Sequence, residues 1–286
     1  MIAAMDRRAA YRDMAAHVAS GKMAFSTGAQ VALRVRQALE DPECHIEKAA
    51  KLIVAEPLLA ARVVAIANSV AFNRSGREVT DVRTAVARLG FRTVRALAMA
   101  LVTRQMASAT AVPHCQTLAD HLWEHTAHVA SLAHVIAHRI THQDPETALF
   151  AGIVHEVAGF YMLSRAPDYP GLLDGDDFTD WIEEGEVEVG RAVFKVLSVP
   201  EPVAGAIEAY WDGFLAMPPG SLADTLLLAE EISPVTSPLH ALDGVHKGRT
   251  EGMTAQIDMA FGHETLAGIL AESEEEVRSL TSALKF

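Results

Sequence analysis

The chain contains 286 residues, half of them hydrophobic but only 6% aromatic, and it carries a formal net charge of −13. This length suffices for one large domain or two modest ones, and the many Ala, Leu and Val residues favour helices over sheet. The composition excludes a disulfide framework or a cysteine-rich zinc site, because Cys44 and Cys115 are the only cysteines. We therefore predict an all-α protein.

The apolar segments of the chain are too short to cross a membrane. The longest, around residues 96–102, is far below the roughly 20 residues that a spanning helix needs. Near the N-terminus, Asp6, Arg7 and Arg8 occupy the place where a signal peptide has its apolar region. We expect a soluble, cytoplasmic protein with no membrane partner.

Charge divides the chain into two unequal parts. Residues 1–112 contain 16 Lys and Arg against 9 Asp and Glu, whereas residues 113–286 contain 8 against 28. The acidic part argues against general nucleic-acid binding, while the basic part could attract an anionic partner. A simpler interpretation is that the opposite charges help the two lobes to pack together or solvate them.

Apolar periodicity predicts six short helices in the first hundred residues, separated by turns. A polar loop over residues 68–80 divides this series, and Gly90 is placed to end the fifth helix in the usual C-terminal capping position. The predicted helices cover residues 11–19, 30–39, 46–54, a segment beginning at Pro57, 81–89 and 91–106.

Residues 56–102 resemble the N-terminal lobe of the HDOD family, bacterial signalling domains related to the HD phosphohydrolases. The matching marks are Pro57-Leu58, Ala-Asn-Ser at 67–69 with Ala71-Phe72, the segment 85–90 and the Arg- and Leu-rich helix after it. Met23 to Gln30 replaces the proline-rich lead-in common in the family. The resemblance implies a two-lobed helical architecture with lobes at 1–112 and 113–235, and with 236–286 packing on them.

Residues 117–140 form a predicted helix that is rich in histidine. On a helical wheel, His125 points in the same direction as Val129, Leu132 and Ile136, so it faces the core. His121 and His128 flank that direction, and His134 and His138 fall on a more polar side. A single histidine on an apolar face is commonly a hydrogen-bonded core residue, and metal ligation is the alternative.

A second core helix is predicted over residues 147–165. His155 and Glu156 lie inside this apolar segment. Bare burial of an imidazole and a carboxylate costs several kcal/mol, so these groups must be hydrogen-bonded, paired or bound to a metal. Partnership with each other and metal binding both remain open at this point.

The order of these residues resembles the metal site of the HD superfamily. The resemblance assigns His125 and His155 to its histidines, Glu156 to the place of its first aspartate and Asp224 to its last ligand, which together would suit one Fe, Mn, Zn or Mg ion. Asp224 also completes an S-x-x-D capping box with Ser221, and the longer side chain of Glu156 shifts its carboxylate by about one bond length.

Two further departures from the family weaken a catalytic reading. Val157, Ala158 and Gly159 follow Glu156 where catalytic members carry a lysine that holds phosphate. Related domains carry more histidines at positions that correspond here to the residues Glu186, Tyr210 and Trp211, so no second metal is expected.

The rest of the chain continues as helices separated by turns. We predict a loop at 167–180, helices at 181–197 and 200–212, and the Asp224 helix after 217–220. Residues 233–249 read as irregular, and two short helices follow, the second beginning at Ser273.

These observations leave three hypotheses about function. The first is a non-catalytic module of bacterial signal transduction that acts by binding a protein or a ligand and needs no cofactor. The second is a metal-dependent phosphohydrolase with a single metal at the four residues named above. In the third, the basic residues of the first lobe dock an anionic ligand or partner; these are Arg83, Arg88, Arg92 and Arg95.

Overall fold

The computed structural model describes residues 6–108, 110, 112–174, 180–241 and 263–285, and these residues form helices joined by turns, with no strand among them. The predicted all-α class is confirmed. The helices are α1 (Arg7–Ala19), α2 (Thr27–Ala38), α3 (Ile46–Val54), α4 (Pro57–Ala67), α5 (Val82–Ala107), α6 (Pro113–Ile136), α7 (Pro145–Val154), α8 (Val157–Arg165), α9 (Val187–Val196), α10 (Glu201–Trp211), α11 (Leu222–Glu231), α12 (Pro238–Ala241) and α13 (His263–Leu284). Short π-helical segments, Ala137–Thr141 and Trp181–Glu186, extend α6 and precede α9.

Side-chain caps fix where many of these helices begin. Ser26 caps α2 and Asp81 caps α5, each accepting a hydrogen bond from a backbone N–H of the first turn. In the loop before α5, the Asn68 side chain donates to the Val79 carbonyl at 2.7 Å and accepts from its N–H at 2.8 Å. Gly90 has φ +73° and kinks α5, which confirms the predicted break between its two halves.

The predicted single helix over 147–165 is two helices. α7 ends at Val154 and α8 begins at Val157, so His155 and Glu156 form the junction. Glu156 has φ −99° and ψ 14°, outside the helical region. The residues on both sides are almost all apolar and fully buried, so periodicity contains no sign of the break.

The C-terminal prediction of two helices is also wrong. Helix α13 runs without interruption, and Ser273 is buried within it rather than capping a second helix. No proline interrupts this segment, and most residues near Ser273 are good helix formers. α13 packs on α6 and α4, where Thr281 donates to Ser131 at 3.0 Å and Arg62 donates to the Ala283 carbonyl at 3.2 Å. Part of the predicted irregular segment, residues 242–249, lies outside the described residues.

One hydrophobic core extends from α1 to α13, and α6 lies at its centre with α7, α11 and α13 against it. α1 packs on α9, and α5 packs on α7 and α8, so helices on either side of residue 112 share this core. The division at residues 112 and 235 stays a prediction. The segment Pro145–Asp168 is apolar and long enough to span a membrane, but 83% of its apolar 18-residue window is buried in the fold.

Candidate functional site

Two buried histidines from different helices lie beside the junction between α7 and α8. The Nδ1 atom of His125, on α6, donates to the Val235 carbonyl at 2.7 Å, and the Nδ1 atom of His155 donates to the Gly152 carbonyl at 2.7 Å. Their ring centroids are 5.5 Å apart. Because each Nδ1 carries a proton for its carbonyl, the Nε2 atom of each neutral ring offers a lone pair.

Both Nε2 atoms face the carboxylate of Glu230, near the end of α11. Oε2 of Glu230 lies 3.1 Å from Nε2 of His125 and 3.8 Å from Nε2 of His155. Glu156 adds a second carboxylate, with Oε1 4.0 Å from Nε2 of His125. Tyr210 packs its ring edge-on against His155 at 5.8 Å and hydrogen-bonds with Glu230. We call His125, His155, Glu156, Tyr210 and Glu230 the buried polar cluster.

Burial and charge determine where the cluster holds a proton. The side chain of His125 is fully buried and those of His155 and Glu156 nearly so, whereas that of Glu230 is 18% exposed. Burial opposes a charge on His125, but Glu230 and Glu156 outweigh it and raise its pKa. Burial lowers the pKa of His155, which Glu156 only partly offsets. Without a metal, the two carboxylates thus favour a proton on His125, whereas burial favours the neutral form of His155.

The cluster also fits a divalent metal. One ligand atom from each of His125, His155 and Glu230 lies within 4.8 Å of the others. Two imidazole nitrogens and a carboxylate suit Zn, Fe or Mn, and the carbonyls bonded to both Nδ1 atoms are the usual second layer around metal-bound histidines. The 3.1 Å separation between His125 and Glu230 is compatible with an ion pair and with two ligands of one ion.

The sequence did not identify Glu230 and placed Asp224 in its position. Glu230 lies three and four residues after Leu227 and Leu226, both buried, so it belongs to the apolar face of α11. A carboxylate on the apolar face of a helix was the sequence signal that could have pointed to Glu230. The assignment of Asp224 followed the family's alanine-aspartate pair, which Ala223 and Asp224 reproduce at the other end of the same helix.

Asp224 caps α11 and lies outside the buried polar cluster. Its Oδ1 accepts from the Ala216 N–H at 2.9 Å, and its Oδ2 accepts from the N–H groups of Gly220 and Ser221 and from the Ser221 hydroxyl at 2.7 to 3.0 Å. The Ser221 Oγ accepts from the Asp224 N–H at 3.0 Å, which completes the capping box. Burial would raise the pKa of Asp224, but these hydrogen bonds lower it below its ordinary value.

Replacing Asp224 with alanine should lower the free energy of unfolding by about 2 kcal/mol, because several backbone donors lose their acceptor. Urea denaturation at pH 7 measures this. Asp120→Ala, which removes an exposed pair with Arg104, is the matched control and should cost less than about 1 kcal/mol. Equal small losses in both variants would show that the cap is not needed.

The four predicted docking arginines are mostly engaged with the chain itself. Arg83 pairs with Glu47 at 3.1 Å and Arg92 with Asp144 at 2.8 Å. Arg88 donates to two backbone carbonyls at 2.8 and 2.9 Å. Arg95 is half-buried and lines a small cavity of about 250 Å³. Of the four arginines, Arg95 is thus the one that lines a cavity and makes no ion pair with the described residues.

The predicted polar orientation of His134 is wrong. His134 is 7% exposed, its ring centroid lies 5.5 Å from that of Phe72, and Glu276 of α13 approaches it. The wheel of α6 alone could not show that α13 covers this face. His138, by contrast, is exposed as expected.

The buried ring of His134 should make stability depend on pH. Burial, with His138 and Arg74 nearby, lowers its pKa from 6.5 to about 4; Asp144 opposes this only weakly, and Glu276, 3.9 Å away, is too distant to hydrogen-bond. The unfolded chain therefore binds a proton more readily, and stability falls as the pH drops from 6.5 towards 4, by about 3 kcal/mol in full. Urea denaturation at several pH values should show a shallower decline for His134→Gln. Equal slopes would contradict the assignment.

Comparison with protein families identifies the fold. The model of the HDOD domain matches residues 26–201, which is more than half of the chain. The chain belongs to the HDOD family. Among curated proteins, none matches it.

Solved structures show the same HDOD architecture over nearly the whole chain. A protein of Shewanella amazonensis, provisionally named a metal-dependent phosphohydrolase, has a TM-score of 0.69 at 18% identity and covers 97% of this chain and 99% of its own. An HDOD protein of unknown function from Geobacter sulfurreducens has a TM-score of 0.60 at 21% identity, covering 96% and 97%. A provisionally named signal transduction protein of Marinobacter aquaeolei has 0.54 at 19%, covering 99% and 67%. These identities support a shared fold only.

Proposed function

We propose that this HDOD protein is a regulatory module of bacterial signal transduction in the cytoplasm, which acts by binding a protein or ligand rather than by catalysis. The observation that carries the proposal is the closed state of the buried polar cluster. His125, His155 and Glu156 are almost completely buried and directed at one another, at Glu230 and at backbone carbonyls. A substrate phosphate would have to displace these contacts to reach the imidazoles.

Local sequence around the cluster supports the same conclusion. Asp224 is used as a helix cap, and Val157, Ala158 and Gly159 supply no cation for a phosphate next to Glu156. Family membership and the neighbour named as a signal transduction protein are compatible with regulation. In this role the cluster holds α6, α7, α8 and α11 in register through the contacts between its imidazoles and carboxylates.

Turnover assays test the absence of catalysis. We expect no hydrolysis of bis(4-nitrophenyl) phosphate or of cyclic dinucleotides with Mg, Mn, Fe or Zn. Metal-dependent turnover that is lost in His125→Ala and kept in His121→Ala, an exposed histidine of the same helix, would overturn the proposal.

Complementation tests the regulatory role. Deleting the gene from its bacterium should change the transcript profile, and both the wild type and a folded His155→Gln variant should restore it. If only the wild type restored the profile, regulation would depend on His155, which would contradict a role that needs no metal-binding histidine. An unchanged profile after deletion would contradict regulation.

The alternative function is a metal-dependent phosphohydrolase with one metal. The observation that favours it is the convergence of His125, His155 and Glu230 within 4.8 Å. When bound there, a divalent metal would lower the pKa of a water molecule for attack on phosphorus. His125 and His155 would bind it through Nε2 while their Nδ1 protons stay on the Val235 and Gly152 carbonyls.

Elemental analysis separates the two functions. Protein purified without chelators or a histidine tag should contain little metal if the cluster is a core network. Near-stoichiometric metal that is lost in His125→Ala and Glu230→Ala, but kept in Asp224→Asn, would support the alternative with Glu230 as the third ligand. Loss in His125→Ala and Asp224→Asn, with metal kept in Glu230→Ala, would support the ligand set that the sequence suggested.

A further inference from the structure

A second feature of the fold is a cavity of about 610 Å³ beside the C-terminal part of α8. It lies among the end of α1, the loop into α2, the first turn of α2, the end of α5 and the end of α8. This volume is within the range of small-molecule sites. The buried polar cluster contributes none of its lining.

The apolar part of the wall is adaptable. Met23, Phe25, Ala29 and Met106 form it. Methionine side chains are flexible and polarisable, so they can fit ligands of irregular shape. This wall suits a hydrophobic body of aliphatic or aromatic character.

Tyr161 supplies a hydrogen-bonding group that the protein itself leaves unused. Its side chain is buried, with 4% exposed, and its hydroxyl has no hydrogen-bond partner in the structure. An unsatisfied buried hydroxyl destabilises the fold, and a ligand acceptor would remove that penalty. Ser164 and Arg165 lie three and four residues further on α8 and line the same cavity.

The charges of the lining favour an anion. Lys22 and Arg165 are two cations of the lining, and Glu56 is its carboxylate. Lys22 is exposed and has no ion pair among the described residues, while Arg165 pairs with Asp168 at 2.8 Å. Glu56 is committed in part, because its Oε1 caps α4 by accepting from the Leu58 N–H at 3.3 Å.

We propose that this cavity binds a small organic anion with an apolar body, whose carboxylate, phosphate or sulfonate faces Lys22 and Arg165 and accepts a hydrogen bond from Tyr161. α8 carries Tyr161 and Arg165 in this cavity and begins next to Glu156 of the buried polar cluster. Occupancy of the cavity therefore bears on the position of α8. That the bound anion is a signal rests on the regulatory function proposed above.

Titration of the full-length protein with 8-anilinonaphthalene-1-sulfonate tests the site, since this probe joins an aromatic body to an anion. We expect saturable fluorescence enhancement with one probe per chain. Tyr161→Phe should weaken binding about fivefold and Lys22→Glu about tenfold. Lys51→Glu, an equal charge change at an exposed residue outside the cavity, should leave binding unchanged.

The neutral analogue N-phenyl-1-naphthylamine separates recognition of the apolar body from recognition of the anionic group. It should bind about tenfold more weakly than the sulfonate, and Lys22→Glu should not weaken it. Several probes per chain with no effect of Tyr161→Phe would overturn the site, and equal binding of both probes would overturn the anion. These results do not depend on transcript profiles, so the site and the regulatory function can fail separately.

Discussion

Replacing Gly152 with alanine should lower the free energy of unfolding by about 3 kcal/mol, which is among the largest effects expected from adding one methyl group. Gly152 lies where α7 crosses α6, and an added Cβ would come within 2.5 Å of the Ala130 Cα and 3.0 Å of its N. Both atoms are backbone and cannot rotate away. The two helices would have to separate, which also moves the Gly152 carbonyl that accepts from His155.

Gly205→Ala is the matched control for this prediction. Gly205 is exposed within α10, its added Cβ would meet nothing within 4 Å, and its backbone is helical. Alanine should therefore raise the free energy of unfolding by about 0.5–1 kcal/mol. Urea denaturation of both variants gives the comparison. The same sign of change in the two variants would contradict the packing argument at Gly152.

The helices could be predicted because their signals are local. Proline at the first turn, Asp or Ser caps and the glycine at position 90 depend on residues a few positions apart, and the structure uses them in that way. The break at His155 and Glu156 has no such signal, because the segments on both sides of it are apolar. The residues at the break contact α6 and α11, which are distant in sequence.

The candidate site was predictable only as far as its histidines and Glu156. His125 could be recognised by its place on the apolar face of α6, and His155 and Glu156 by their isolation in an apolar segment. Glu230 depended on how α11 lies against α6. Glu231 also follows buried leucines at three and four residues, so no local rule distinguishes the two carboxylates. Asp224 matched the family pattern, but the capping signal beside it describes its actual contacts.

Removal of His125 should be the most damaging single change in the buried polar cluster. In protein treated with a chelator, His125→Ala should lower the free energy of unfolding by about 4 kcal/mol at pH 7. The variant removes the imidazole that faces Glu230 and Glu156 and one of the two side-chain donors to the Val235 carbonyl, which keeps the Ser233 hydroxyl, and it creates a cavity. His121→Ala, at an exposed position of the same helix, should change stability by less than about 0.5 kcal/mol.

A double-mutant cycle shows whether this loss comes from the pair with Glu230. Glu230→Gln keeps the shape of the side chain and removes its charge, so the cost of His125→Ala should be about 2 kcal/mol smaller in that background. The Val235 contact and the cavity are unchanged by the second substitution and account for the remainder. Additive losses would instead mean that His125 and Glu230 are not paired in the metal-free protein. The 3.1 Å contact would then mean that His125 and Glu230 are positioned as two ligands of one metal ion.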